Sequence, residues 1–345
     1  MGMDFRLSVL DQAPIPEGLG GADALRNSVD LARHAEELGY HRYWVAEHHG
    51  TPGLASASPE ALIGPIAAAT SQIRVGSGGV MLPHYSPLKV AETFSALSGL
   101  FPGRIDLGLG RAPGTDPMTT FALQRDRRDA APDDFPQQLA ELLGYISDDL
   151  PADHPFARLA ATLPGRPERP EPWLLGSSPQ SGIWAAETGL PYAFADFINA
   201  GGAEIAARYR ADSERPVLAV ATWAICADTP EEAERLASSS RMTMRLLGQG
   251  RLIAVPPVEK AIRFLASAGS APSDRERRRR AIIGDPEQVR AGLEAVASEY
   301  GADEVMVVTI TYDHEARRRS YELIAEAFGL RRERASAVTV SFPVA

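Results

Sequence analysis

Short runs of β-branched, aromatic and small apolar residues recur along the chain, and each is followed by a longer stretch with apolar positions at helical spacing. Eight such runs read as strands: Phe5–Leu10, Tyr43–Ala46, Ile73–Gly79, Ile105–Leu109, Trp173–Gly176, Tyr192–Ala195, Val217–Ala227 and Glu304–Ile310. Between the first two lies the helical pattern Ala22–Leu38, where Leu25, Val29, Ala32 and Ala35 share a face and Gly39 can close the end. The last pattern, His314–Phe328, stops at Gly329. Six helical patterns open on Ser, Thr or Asp followed by proline: Ser58-Pro59, Ser86-Pro87, Asp116-Pro117, Ser178-Pro179, Thr229-Pro230 and Asp285-Pro286. The first residue can accept orphan N–H groups, and the proline presets φ where no donor is needed. At Thr229 and Asp285 the residue three further on, Glu232 or Gln288, can complete a capping box.

A strand–loop–helix unit repeated eight times predicts a single-domain α/β protein, a (β/α)8 TIM barrel over residues 1–330 with insertions, followed by a tail at 331–345. A doubly wound open sheet is the alternative. It calls for a nucleotide fingerprint after the first strand, and Asp11-Gln12-Ala13-Pro14 is not one. Two segments fit the repeat poorly. Residues 130–172 hold one helical pattern, Phe135–Ile146, and a long connection; residues 251–281 read as a helical or mobile excursion ending in the run Arg275–Arg280, a solvated face. The tail carries Val338, Val340 and Phe342 in alternation, a pattern for docking on the barrel or on a partner subunit.

Composition narrows the function. The 345 residues are 44% hydrophobic with a formal net charge of −10, which suits a large globular core and argues against nucleic acid or an anionic membrane as partner. The lone Cys226 sits in an apolar run, so no internal disulfide is expected, and neither a membrane span nor a signal peptide is visible. These features predict a cytoplasmic protein.

Barrel strands aim their C-terminal ends at one mouth, so the residues that follow them are the candidates for chemistry. These are Glu47, His48 and His49 after the second strand, Gly78, Gly79, Val80 and Met81 after the third, and Arg111 after the fourth. Gly176-Ser177-Ser178-Pro179-Gln180-Ser181-Gly182 follows the fifth, Asp196 the sixth, and Trp223 lies on the seventh. Glu47, His49, Asp196 and Trp223 are expected in a substrate pocket. No metal is expected, because adjacent residues on a strand face opposite ways and rarely ligate together. The glycine and serines from Gly176 to Gly182 put free N–H groups and hydroxyls at a helix start, a phosphate-type site that Arg111 could complete. Gly76, Gly78 and Gly79 crowd one strand end, where either the chain turns or something approaches the backbone closer than a Cβ permits.

The segments YWVAEHH, VGSGGVMLPHYSP, RIDLGLGRAPG and GSSPQSGIWAAETGLP resemble successive strand ends of the bacterial luciferase-like flavin monooxygenases, and above all the branch labelled luciferase-family oxidoreductase group 1. The resemblance runs from about Phe5 to Phe328. It implies FMN across the barrel mouth, with a bulge and a non-prolyl cis peptide at Gly78–Gly79 beneath the isoalloxazine ring. It further implies phosphate contacts from Arg111, Ser178 and Ser181, and proton transfer by His48, an imidazole suited to acid/base work near neutral pH. Reduced FMN, loosely held and supplied by a separate flavin reductase, would react with O₂ to a C4a-peroxyflavin that oxygenates a small organic molecule. The family also implies a homodimer through Ser58–Ala69 and Ser86–Leu97. Two alternatives stay open: hydride transfer with a deazaflavin (F420), and a non-catalytic flavin-binding protein. Luciferase proper has a reactive cysteine where Gly110 stands and an acidic residue where Ser177 stands, so light emission is not implied.

Overall fold

The computed structural model describes residues 5–111, 116–124, 134–267 and 280–331. Eight parallel strands form a ring: β1 (Arg6–Asp11), β2 (Arg42–Val45), β3 (Arg74–Met81), β4 (Ile105–Gly110), β5 (Glu171–Gly176), β6 (Tyr192–Ala195), β7 (Leu218–Cys226) and β9 (Glu304–Val308). Each pairs with the next in that order, and β9 pairs back onto β1, so no open edge is left in the ring. α1 (Gly21–Leu38), α2 (Pro59–Ala69) and α3 (Pro87–Leu100) follow the first three strands. α4 (Pro117–Leu123), α5 (Phe135–Ser147) and α6 (Ala157–Ala160) lie between β4 and β5, and α7 (Pro179–Thr188) and α8 (Ala203–Asp212) follow β5 and β6. α9 (Pro230–Gly248) and α10 (Val258–Ser267) come after β7, and α11 (Pro286–Tyr300) and α12 (His314–Phe328) complete the barrel. None of the described helices is long and apolar enough to cross a membrane.

The excursion at 251–281 holds more order than its sequence pattern suggests. It contains α10 and ends in a ninth strand, β8 (Ala281–Gly284), paired to Trp223–Cys226. The reason lies in β7, which at nine residues outruns the barrel: its lower part pairs with β6 and β9, and its upper part needs another partner. A four-residue strand is too short to show periodicity. Residues 275–279 of the arginine run, the loop around Gly114 and the tail at 335–345 lie outside the described residues.

All six Ser/Thr/Asp-Pro pairs start helices, but the caps differ. Asp116, Thr229 and Asp285 accept first-turn N–H groups, whereas Ser58, Ser86 and Ser178 make no side-chain cap bond. The capping box closes at Asp285 with Gln288; Glu232 instead gives its carboxylate to Arg235. Gly39 and Gly329 end their helices in the left-handed region, at φ 90° and 66°.

Side chains alternate across the barrel wall. Tyr43, Val45, Val220 and Phe194 face the helices, while Trp44, Ala46, Trp173, Ala193, Ala219 and Ala221 fill the interior. Trp44 and Trp173 meet edge to face at 5.3 Å, and the alanines of β6 and β7 leave room for them. Charge closes the bottom. Arg42 bonds Glu304 at 2.8 Å and Asp106 at 2.8 Å, lies 4.6 Å over the Trp173 ring, and shares Asp106 with Trp44 and Arg74.

Candidate active site

The site is built on the strand ends of β2 to β5. In β3 the pairing with β4 slips after Ser77: Ser77 faces Leu107 but Val80 faces Leu109, so Gly78 and Gly79 both stand opposite Gly108. The Gly78–Gly79 peptide is cis. Close approach of backbone requires glycine at 76 and 79, and at 78 a side chain would press on Leu10. A Cβ on Gly76 would lie 2.6 Å from Asp106, one on Gly78 2.5 Å from Leu10, and one on Gly79 2.7 Å from the Gly108 carbonyl. Ser77 and Val80 are buried, but the two glycines between them stay half-buried, so peptide backbone opens onto the barrel mouth.

Glu47 holds this bulge in place. Its carboxylate, 1% exposed, accepts from the Met81 N–H at 3.0 Å, from the Tyr85 hydroxyl at 3.0 Å and from His49 Nε2 at 2.8 Å. These bonds engage the buried Glu47 carboxylate and His49 as a brace for the bulge, where a substrate-pocket role was expected. Alternation explains it: Glu47 has the parity of Tyr43 and Val45, on the helix side, and His48 that of Ala46, on the interior side. His48 is half-buried, and its backbone N–H donates to the Ser56 carbonyl at 2.9 Å. Burial, with His49 beside it, lowers the His48 pKa to about 4. The ring is therefore neutral at neutral pH, a base where the sequence suggests an acid/base group.

Two strands along, about 10 Å at the usual strand spacing, the end of β5 leads into α7. Ser178 is exposed at the helix start and its hydroxyl makes no cap bond; Pro179 offers no N–H, and the Ser181 N–H donates to the Ser178 carbonyl at 3.2 Å. Arg111, leaving β4, places its guanidinium 5.5 Å from the Trp184 ring centroid on the same helix. Ser181 is different. Its hydroxyl is buried, donates to the Ser178 carbonyl at 2.7 Å and shares a bond with the Tyr192 hydroxyl at 2.8 Å. It shapes the turn from beneath, and Gly176 is glycine because a Cβ there would meet that hydroxyl at 2.3 Å. Asn199 donates to the Ser177 carbonyl at 3.2 Å and ties the β6 loop to the cradle.

Asp196 is also removed from the pocket. Its carboxylate is fully buried on the helix side and accepts from Thr222 at 2.9 Å and Tyr300 at 2.8 Å, with Arg280 at 3.6 Å. Burial pushes its pKa up despite these partners. Trp223 does face the mouth side, stacked against Phe197 at 6.4 Å. Sequence reading missed Asp11 at the end of β1. It is buried, pairs with Arg317 of α12, accepts from Tyr43 at 2.6 Å, and holds Ala13 at φ 46° through a 2.7 Å bond from its N–H. Burial opposes its charge, yet Arg317 and Tyr43 hold its pKa below the usual carboxylate range. Nothing local could reveal a partner 306 positions away.

A closed parallel barrel with a bulged third strand and a serine-led helix start two strands on gathers its strand ends at one mouth, as TIM-barrel proteins do. The sequence profile of luciferase-like monooxygenases matches residues 3–304, and the chain belongs to that family. A luciferase-like monooxygenase of Escherichia coli K12 is 42% identical over 323 residues, covering 92% of this chain and 95% of that protein. The N-acetyl-S-alkylcysteine monooxygenase of Bacillus subtilis is 40% identical over 333 residues, covering 94% and 98%. The crystal structure of apo-MsnO8 is similar with a TM-score of 0.84 at 40% identity, over 94% and 98% of the two chains. Two more distant structures share the fold alone. One is the oxygenating constituent of 3,6-diketocamphane monooxygenase from Pseudomonas putida in complex with FMN (TM-score 0.71, 20% identity, 94% and 97% covered). The other is an F420-dependent secondary alcohol dehydrogenase (TM-score 0.65, 16% identity, 94% and 99% covered).

Proposed function

We propose that this chain is an FMN-dependent monooxygenase acting on a small organic molecule, with a separate reductase supplying the reduced flavin. The observation that carries this reading is the half-buried Gly78–Gly79 backbone at the mouth, with an exposed helix start two strands away and Arg111 leaving the strand between them. A flat ring can lie against a wall free of Cβ atoms, and a phosphate suits the α7 amides, the Ser178 hydroxyl and Arg111. The residues present therefore fit FMN. When bound and reduced, the flavin supplies the activation of dioxygen. The chain holds it, excludes water, and presents the His48 imidazole as a neutral proton acceptor. Ser181 and Glu47 act beneath these groups by fixing the cradle and the bulge.

The experiment is a comparison of FMN with riboflavin and F420. Arg111→Ala and Ser178→Ala should each weaken FMN about ten- to a hundredfold, the worth of a charge-assisted contact, and riboflavin little. Equal losses for both flavins would remove the phosphate assignment, and tight F420 binding with anaerobic reduction would replace oxygenation by hydride transfer.

A dimer through α2 and α3 belongs to the same reading, and the exposed positions of those helices narrow its face. Leu62, Ala67, Val90 and Ala91 are buried against the barrel's own strands. The outward face of α2 is the stripe Ala61, Gly64, Pro65 and Ala68, at i, i+3, i+4 and i+7, beside Leu100 of α3 at 72% exposure.

A further inference from the structure

Gln12, the residue that follows β1, is only 5% exposed. Extending the register of β1 with β2 and β9 sets it level with Ala46 and Ile310. The ladder does run this far, because the Ala46 N–H donates to the Asp11 carbonyl at 2.9 Å. Ala46 and Ile310 belong to the cluster that fills the barrel interior, as does Leu10 two residues earlier. Alternation therefore turns the Gln12 side chain inward, toward the side that His48 shares, while Asp11 points to the helices and Arg317. The backbone here is fixed on both sides: the Gln12 carbonyl accepts from the Ser56 hydroxyl at 3.1 Å, and the Ala13 N–H is tied to Asp11 at 2.7 Å. Yet among the described residues the Gln12 side-chain amide has no hydrogen-bond partner. An amide sunk among apolar side chains with donor and acceptor both unused burdens the fold, and a ligand that completes it relieves that burden.

We propose that Gln12 is a binding residue of the organic-substrate site and that the molecule it takes carries a carboxamide edge, a C=O beside an N–H. The amide of Gln12 sets an acceptor oxygen next to a donor nitrogen, so two amides meet edge to edge with both bonds made. A carboxylate offers no donor and an ammonium no acceptor, which leaves a neutral group as the match. The inference rests on the flavoenzyme reading: β1 lies two strands from the bulge of β3, on the side away from the start of α7, with the His48 strand between. A molecule held by Gln12 thus lies next to His48 and faces the bulge.

The test follows the whole protein, without flavin, by NMR. Its probes are hexanamide and 2-heptanone, which differ only in the NH₂ or CH₃ group beside the carbonyl. The side-chain NH₂ pair of Gln12, assigned by its absence in Gln12→Met, should shift saturably as hexanamide is added. By saturation transfer, hexanamide should bind wild type about tenfold tighter than 2-heptanone. Gln12→Met should make the two equal, and Gln12→Asn should restore part of the preference. Because the native amide lacks a partner in the fold, Gln12→Met should melt no lower than wild type. Equal binding of the two probes by wild type, a preference that survives Gln12→Met, or melting several degrees lower in that variant overturns the proposal. FMN titrations separate the two readings. Gln12→Met should bind FMN as wild type does; a loss as large as that for hexanamide would give the amide to the flavin and overturn the substrate assignment. Failure of wild type to bind FMN strikes the flavoenzyme reading and leaves the hexanamide comparison standing as a test of Gln12.

Discussion

His48 and His49 are adjacent, yet the wall sends them to different work. His49 is locked to Glu47 at 2.8 Å, and His48 lies on the interior side with its pKa lowered to about 4. General acid–base help is worth roughly 10²–10⁴-fold, so His48→Ala should cut coupled oxygenation by about that range while flavin binding survives. Reduced flavin would still consume O₂ and release H₂O₂. The ratio of oxygenated product to H₂O₂ in wild type, His48→Ala and His49→Ala checks this. Uncoupling by His49→Ala alone would transfer the role to the wrong neighbour. The candidate residues at this scale were legible because strand ends in a barrel converge, and alternation along β2 separates His48 from Glu47 and His49; the partners that engage them were not legible. Glu47, Asp196 and Ser181 have the residue types of a site, but their polar atoms are consumed by Met81, Tyr300 and Tyr192, on other elements.

At the scale of elements, local chemistry was a good guide wherever the decisive contacts lie within one turn. The proline-led starts and the glycine ends of α1 and α12 are such cases. The bottom of the barrel is the reverse case, since Arg42 on β2 serves Asp106 on β4 and Glu304 on β9. Burial pushes the Glu304 carboxyl above its usual range even with Arg42 beside it, so the pair is finely balanced. Removing one partner of a buried network leaves uncompensated charge and costs about 3–5 kcal/mol. Arg42→Leu should therefore lower the unfolding free energy by that amount, read as a lower urea midpoint with little change in the slope, while FMN binding at the opposite end of the barrel is retained. A loss of FMN affinity as large as the loss of stability would show the two ends to be coupled.

For the whole molecule two outcomes are expected. Light scattering at micromolar concentration should give a dimer, and Ala68→Glu on the outward α2 stripe should give a monomer; a monomeric wild type removes the interface. The second outcome is acid lability. His41 is lowered to about 3 and His48 to about 4, both chiefly by burial. A free histidine titrates near 6.5, so between about pH 6.5 and 4 the unfolded chain binds protons that the folded one refuses. Stability is lost as pH falls through that window. Glu60 and Asp196, raised by burial, pull the other way, so the sign is read from a difference. Thermal melting of His48→Gln should fall less steeply than wild type from pH 6.5 to 4, and parallel curves would contradict the assignment.

By itself the sequence determined the eight-strand barrel, most helix boundaries, the glycine-rich third strand end and the loops that make the mouth. These depend on alternation, helical spacing, capping and close approach, all of which act over a few residues. Tertiary structure alone decided the rest: that Asp11 meets Arg317, that β8 completes β7, and that two arginines of α9 share a chamber with Trp223. Those pairings join positions far apart in the chain. Burial and charge balance across the closed barrel select them, and neither is written in any local pattern.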